Sequence, residues 1–258
     1  MLIVRSAQLA AMEQLAQVRV ERALLGHLRD AFPREFARLG DPPMTEVIRL
    51  AMSRAARHGH TTPREFFLFA TLMLMLGAYF DEDPQFAWLA RRMDGVTHAA
   101  PPERLDDAHA AVMQYLDEIA GPENEHLIRA LVRMREIDLA SVASLAADMT
   151  GAAIAGLLAE LFPEKARCNG DAAMRLAVAQ GRALAGQHAM QTGEGVVLFS
   201  ALVFMLGWRF NEDPVFPWAR TLLAPHDGAP GGDAPAAVAA LHRHALGFLR
   251  YGLGADGN

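Results

Sequence analysis

Phe69-Ala70-Thr71-Leu72-Met73-Leu74-Met75-Leu76-Gly77-Ala78-Tyr79-Phe80-Asp81-Glu82-Asp83-Pro84 is a stretch whose Phe69, Leu72, Met75, Leu76, Gly77, Phe80, Glu82, Asp83 and Pro84 recur later in the chain. It returns as Phe199-Ser200-Ala201-Leu202-Val203-Phe204-Met205-Leu206-Gly207-Trp208-Arg209-Phe210-Asn211-Glu212-Asp213-Pro214, each residue 130 positions from its counterpart. Downstream, Phe86 and Trp88 return as Phe216 and Trp218 at the same interval. Upstream, Phe32-Pro33 returns as Phe162-Pro163, and Leu15-Ala16 as Leu145-Ala146. Solenoid repeats have periods of about 20–50 residues, so a period this long indicates one domain-sized module made twice. The reading is an all-α chain of two homologous units, 1–120 and 131–250, with about five helices each. Each unit is near the lower end of ordinary domain size, and the two are expected to pack as a pseudo-dimer with a joint near Gly121-Pro122.

The apolar run Phe66 to Phe80, with Val196 to Phe210 as its repeat, decides the core. A helix apolar on all sides is buried or crosses a membrane. A span needs about 20 apolar residues, and Glu65 and Asp81-Glu82-Asp83 bound a shorter run here. The run therefore predicts the central helix of each unit and no membrane span. Thr62-Pro63-Arg64-Glu65 supplies its start, with a capping hydroxyl, a proline at the first helical position and a carboxylate at the third. The second unit keeps Thr192 but has Gly193 and Gly195 in place of Pro63 and Glu65, so a weaker start is expected there.

Helical spacing predicts further helices over 6–31, capped by Ser6, and 42–58, capped by Asp41. Short helices are expected over 84–92 and 214–223, and closing helices over 104–119 and 235–250. Leu2-Ile3-Val4 reads as a short extended piece. Asp94–Glu103 and the Gly- and Pro-rich Ala224–Asp233 read as linkers, and Gly252–Asn258 as a disordered tail.

Of 258 residues, 52% are hydrophobic and 21% charged, with a net charge of -6. That balance argues against sequence-independent nucleic-acid binding, which relies on a basic surface. Cys168 is the single cysteine, so there is no internal disulfide framework. Met1-Leu2-Ile3-Val4-Arg5 lacks the basic segment of a secretory leader, and a cytoplasmic setting is expected.

Four pairs of residues are candidates for a site. Asp81 and Asp83, with Glu212 and Asp213, form acidic loops ahead of a proline. A hard cation needs more oxygen ligands than these loops hold, and the glycine of a calcium loop is missing, so helix capping explains them better. His58 and His188 are the repeated histidines. They fall at a helix end, where an imidazole satisfies free carbonyls, or they meet the acidic loops as an acid–base pair. Trp88 and Trp218 are either half-buried core or anchors for a partner. No metal, phosphate-loop, nucleophile-elbow or dinucleotide pattern is present, and no catalytic, cofactor or metal-ligating residue is assigned.

The pattern Phe32-Pro33, Ile48-Arg49-Leu50, Ala55-Ala56-Arg57, Phe69, Leu72-Met73, Leu76-Gly77, Phe80-Asp81-Glu82-Asp83-Pro84 and Trp88 resembles a group of small, poorly characterised all-helical proteins of proteobacteria. Members of that group typically carry one unit and are often encoded beside spike, tip or toxin genes of type VI secretion systems. The resemblance covers nearly all of the first unit and, more weakly, the second, which departs from it at Arg209 and Asn211. It implies a non-enzymatic protein-interaction role, as accessory factor, adaptor, chaperone or immunity protein for a secreted effector or spike component. Because the motifs are structural, they transfer no catalytic residue. The alternative from a different class is an enzyme or small-ligand receptor, with a site between the units near His58, His188 and the acidic loops. The sequence leaves the partner's identity and the oligomeric state open.

Overall fold

Thr62 starts the element around which the first half is built. Its hydroxyl accepts from the Glu65 N–H, while the Glu65 carboxylate accepts from the N–H of Thr62 at 2.9 Å and of Thr61 at 3.1 Å. The structure is a computed structural model and describes residues 6–94, 100–148, 150–224 and 234–252. Among these there are thirteen helices and no strand. The first half holds α1 (Ser6–Ala31), α2 (Pro33–Leu39), α3 (Asp41–Arg57), α4 (Pro63–Leu76), α5 (Ala87–Met93) and α6 (Pro101–Ala120). After the connecting α7 (Glu125–Glu136) come α8 (Leu139–Val142), α9 (Ala152–Leu161), α10 (Pro163–Gln187), α11 (Gly193–Leu206), α12 (Pro217–Leu223) and α13 (Ala234–Gly252). No helix among the described residues is long and apolar enough to cross a membrane. The readings of Met1–Arg5, of the linker centres 95–99 and 225–233 and of the tail beyond 252 lie outside the described residues.

α4 and α11 lie at the centres of their halves. Phe69, Leu72 and Met73 of α4 and their counterparts Phe199, Leu202 and Val203 of α11 have no exposed surface. Each large apolar side chain so buried contributes about 1.5–3 kcal/mol by transfer. Both helices stop at a glycine with positive φ, Gly77 at 99° and Gly207 at 108°, where a Cβ would be strained. The central helix thus ends at Leu76, four residues before the end of its apolar run. Phe80 leaves the helix but still packs on Phe69, with ring centroids 5.0 Å apart, as Phe210 does on Phe199 at 6.1 Å.

The two halves differ from the expected plan in three places. Asp41 does not cap α3. Gly40 occupies the cap, and Asp41 pairs with Arg29 at 3.0 Å. Gly40 (φ 74°, ψ 177°) separates α2 from α3, and Gly170 (φ 77°, ψ 166°) makes the same kink inside α10. The largest difference concerns residues 136–161, where the repeat predicts one helix like α1. There the chain makes α8, a tight 3₁₀ segment over 143–147, a turn, and then α9. The Asp148 side chain accepts from Thr150 and from the N–H of Ala153, and Gly151 takes φ 73°. The first half has Val18, Val20 and Glu21 at these positions, which favour no turn, and α1 runs straight through. The refolded segment lies on the start of α11, so close that a Cβ on Gly193 would stand 2.2 Å from the Ala143 carbonyl oxygen. Pro63 fills that place in the first half.

Glu65 is buried, and burial alone would raise its pKa. Hydrogen bonds from the Thr62 hydroxyl, from His60 and from the two backbone N–H groups outweigh burial and hold the carboxyl at about 2. Its stabilising contribution is therefore present above its ordinary pKa of 4.5 and is lost as pH falls from there toward 2. Glu65→Gln is expected to lose about 1 kcal/mol at neutral pH and to flatten the acid limb of a stability-against-pH curve. At the α10–α11 crossing, a Cβ on Gly181 would meet the Ser200 backbone at 2.4 Å. Gly181→Ala should therefore destabilise by about 1–3 kcal/mol in denaturant titration, because neither backbone can withdraw.

Candidate functional site

The loops that follow α4 and α11 meet at the centre of the molecule. After Gly77 the backbone presents the N–H of Ala78, and Asp213 Oδ2 accepts it at 2.7 Å. After Gly207 it presents the N–H of Trp208, and Asp83 Oδ2 accepts that at 2.8 Å. Each bond is the other shifted by 130 positions. The second oxygen of each carboxylate caps the turn beyond its proline, Asp83 from Gln85 N–H at 2.9 Å and Asp213 from Val215 N–H at 2.7 Å. Both carboxylates are almost fully buried. Capping was the expected role, and the structure adds that the same side chains bond across the halves.

Burial raises the pKa of both groups. Asp213 is pushed up to about 7 against the opposing N–H groups of Ala78 and Val215. Burial raises Asp83 as well, against the opposing Gln85 and Trp208 N–H groups and the Lys165 ammonium. The Lys165 ammonium lies near the Phe86 and Phe204 rings, 5.9 and 5.2 Å from their centroids. Desolvation there lowers its pKa to about 8 despite the attraction of Asp83. Gln85 extends the network. Its amide donates to the Val203 carbonyl at 3.0 Å and accepts from Asn169 at 3.4 Å, and Asn169 accepts from the Tyr115 hydroxyl at 3.0 Å.

Asp81 has a different task. Arg54, itself buried, donates to it from Nε at 2.8 Å and from Nη2 at 2.5 Å. His58 lies between two carboxylates, with Nε2 3.1 Å from Asp81 and Nδ1 2.8 Å from Asp94. Its bond to Asp81 raises the His58 pKa above 6.5 against burial, and Asp94 adds to the rise. An imidazolium donates from both nitrogens, which fits this geometry. Of the two readings of the repeated histidines, His58 makes the contact with an acidic loop, as an ion pair with Asp81 and Asp94.

His188 makes no such contact. It caps α10 and stacks on Phe199, with centroids 5.8 Å apart and planes 5° apart. Burial lowers its pKa against a backbone bond to Leu223. The reason is visible in the sequence, where Arg54, Asp81 and Asp94 become Leu184, Asn211 and Ala224 in the second half. The whole ion network is present once. No hydrogen bond or ring contact joins His58 to His188 among the described residues.

Glu82 and Glu212 complete the acidic loops at the surface. Glu82 pairs with Arg57 at 3.2 Å and with Arg209 at 3.7 Å, while Glu212 pairs with Arg209. Arg209, which interrupts the second apolar run, lies over the Tyr79 ring at 4.2 Å, and Arg54 lies 5.0 Å from the same ring. Tyr79 and Arg209 occupy equivalent positions of the repeat. Trp88 is half-buried against Tyr115 at 5.7 Å, with Arg92 over it at 5.5 Å, and Trp218 is half-buried against the core. Both tryptophans therefore have the core-packing role. Among the described residues, no group of three His, Cys, Asp or Glu side chains is placed to hold a metal.

A shallow cleft of about 290 Å³ crosses from α5 and α6 to α10, lined by Trp88, Gln114, Tyr115, Glu118, Arg167 and Cys168. Of the charges that line it, Arg167 and Glu118 pair with each other at 2.9 Å, and Arg92 pairs with Asp107 at 3.4 Å. Comparison with family models, with curated proteins and with solved structures finds no match for this chain.

The two repeated histidines should titrate in opposite directions from 6.5, His58 upward and His188 downward, in proton NMR of the imidazole resonances. A raised folded-state pKa stabilises fully below the unfolded value and ceases to do so as pH rises through the folded value. His58→Gln is therefore expected to lower the melting temperature more at pH 6 than at pH 9.

Proposed function

We infer that this chain is a duplicated helical module, its halves packed as an intramolecular pseudo-dimer, that serves as a non-enzymatic protein-interaction scaffold. The observation that carries this reading is the mutual use of the acidic loops. Asp83 and Asp213 bond to backbone N–H groups of the opposite half, and Asp81 and His58 are held by Arg54 and Asp94. These polar groups are occupied in fixing the fold and do not converge on a cleft.

What the surface offers a partner is apolar. On α7, Leu127, Ile128 and Val132 are exposed, and Met113 is exposed on the neighbouring α6. Residues four apart share a helix face, so Ile128 and Val132 form one stripe beside the core-facing Ala130, Leu131 and Met134. A stripe of this kind suits a partner helix or domain. Following the resemblance, the partner is an effector or spike component of a type VI secretion system, met in the cytoplasm, and the chain is its accessory factor, adaptor, chaperone or immunity protein.

The alternative reading, an enzyme or small-ligand receptor, has the Trp88–Cys168 cleft in its favour. Arg167 and Glu118 pair with each other, and Arg92 pairs with Asp107 and lies over Trp88, so the charges lining that cleft are already engaged and the scaffold reading is preferred.

Affinity purification of the tagged chain from its host should yield a stoichiometric partner, lost in the Ile128→Glu, Val132→Glu double variant. No partner, or equal recovery with the variant, overturns this reading. An immunity protein protects cells that express the toxin, whereas an adaptor is required for its export.

A further inference from the structure

The first half has an unfilled place that the second half fills. From Met12 to Arg19, every side chain that the structure describes on α1 is exposed, Met12 at 65% and Leu15 at 61%. This is a helical arm without tertiary support, and isolated helices of about 12–15 residues or fewer are marginal in water. The counterparts of Met12, Leu15 and Ala16 one period later are Val142, Leu145 and Ala146, and all three pack against the core. They do so by folding back through the Asp148–Gly151 turn onto the start of α11 beside α9. The same position in the first half is an open, largely apolar groove of about 640 Å³ between α1 and α4, lined by Leu24, His27, Ala31, Pro63 and Phe67.

The arm cannot reach that groove in its own chain. α1 is continuous from Ser6 to Ala31. At 1.5 Å per residue, Leu15 lies about 18 Å along the axis from His27. Folding back would require Glu21 to take the left-handed conformation that Gly151 adopts, and would break its bonds to Arg49 and Gln17.

We propose that two copies of this chain exchange these arms. Met12–Arg19 of each lies in the α1–α4 groove of the other, the two α1 helices antiparallel and centred near residue 20. This is a domain swap in which a straight helix replaces the turn that closes the second half on itself, and the two-fold axis repeats each contact. The antiparallel register sets Arg19 of each copy, which has no ion partner among the described residues, beside Glu21 of the partner subunit. The inference rests on the 130-residue repeat and not on the identity of any effector, so failure of the partner test leaves it standing.

Light scattering after size exclusion measures the mass directly. The wild-type chain should elute at twice its 28.0 kDa. The Met12→Glu, Leu15→Glu variant should elute as a folded monomer that melts cooperatively at a temperature independent of protein concentration, because both residues are exposed within one chain and only the contribution of the partner is lost. Leu145→Glu should instead lower the melting temperature. With Cys168 replaced by serine, oxidation of a Leu15→Cys, Phe67→Cys variant should give only chain-to-chain cross-links, since a disulfide tolerates at most about 7 Å between Cα atoms. A wild-type monomer at about 100 µM, where micromolar affinity would pair most chains, overturns the proposal, as does a dimer that survives the double glutamate variant.

Discussion

Two buried carboxylates, each closing the backbone of the opposite loop, are the constraint on which the centre of this molecule depends. α4 and α11 both end there, so two helix C-termini meet with their partial negative charges together. Adding Asp83 and Asp213 to that junction is unfavourable unless donors and cations compensate. The glycines at 77 and 207 turn the chain so that the next N–H points across the junction, and each carboxylate takes one. Lys165 supplies a cation beside Asp83 and reaches the Met205 carbonyl at the end of α11. Burial pushes Asp213 toward its neutral form, which lightens the charge on the other side. The same glycines allow the approach itself. A Cβ at 77 would stand 2.8 Å from the Leu206 carbonyl oxygen.

Where the halves differ, they differ in sets. Arg54, Asp81 and Asp94 give way together to Leu184, Asn211 and Ala224. His60 and Glu65 give way to Met190 and Gly195. Removing one member of a buried ion group strands its partner, whereas replacing the whole group by apolar residues is often neutral. The second half shows the complete replacement. The pattern at the start of the central helix is similar. Glu65 secures α4 through four hydrogen bonds, while α11 keeps only the Thr192 cap and gains the 143–147 segment against Gly193.

Much of this was legible in the residues. The apolar run at 66–80 required a buried central helix, and Thr62-Pro63-Arg64-Glu65 required its start. Proline after Asp83 required a cap. Three things were hidden. The break in the second copy of α1 is signalled by Asp148, Thr150 and Gly151, but the repeat argues for continuity there and obscures it. α7 straddles the joint between the two units, and its first half has no counterpart to reinforce its pattern. The network that extends from Asp83 runs through Gln85, Asn169 and Tyr115, none of which has a like counterpart 130 positions away. Its contacts cross the junction, and no spacing in one dimension encodes them. His58 and His188 looked alike because the partners of His58 lie 23 to 36 residues away, where the two halves carry different residues.

The pairing of Tyr79 with Arg209 shows what a fused pair of modules gains. On the duplication proposed here, these two positions lie near the axis between the halves. In a pairing of identical single units, each would face itself, tyrosine on tyrosine or arginine on arginine. A single chain can place a cation over an aromatic face there, an attraction worth about 0.5–2 kcal/mol, and add the Glu82 and Glu212 carboxylates around it. That contact favours one arrangement of first half against second over any pairing of like halves. With the internal junction fixed in this way, the surfaces left for other chains are those the two copies do not share. They are the straight arm of α1, whose counterpart in the second half is folded away, and the stripe on α7, the helix that joins the halves.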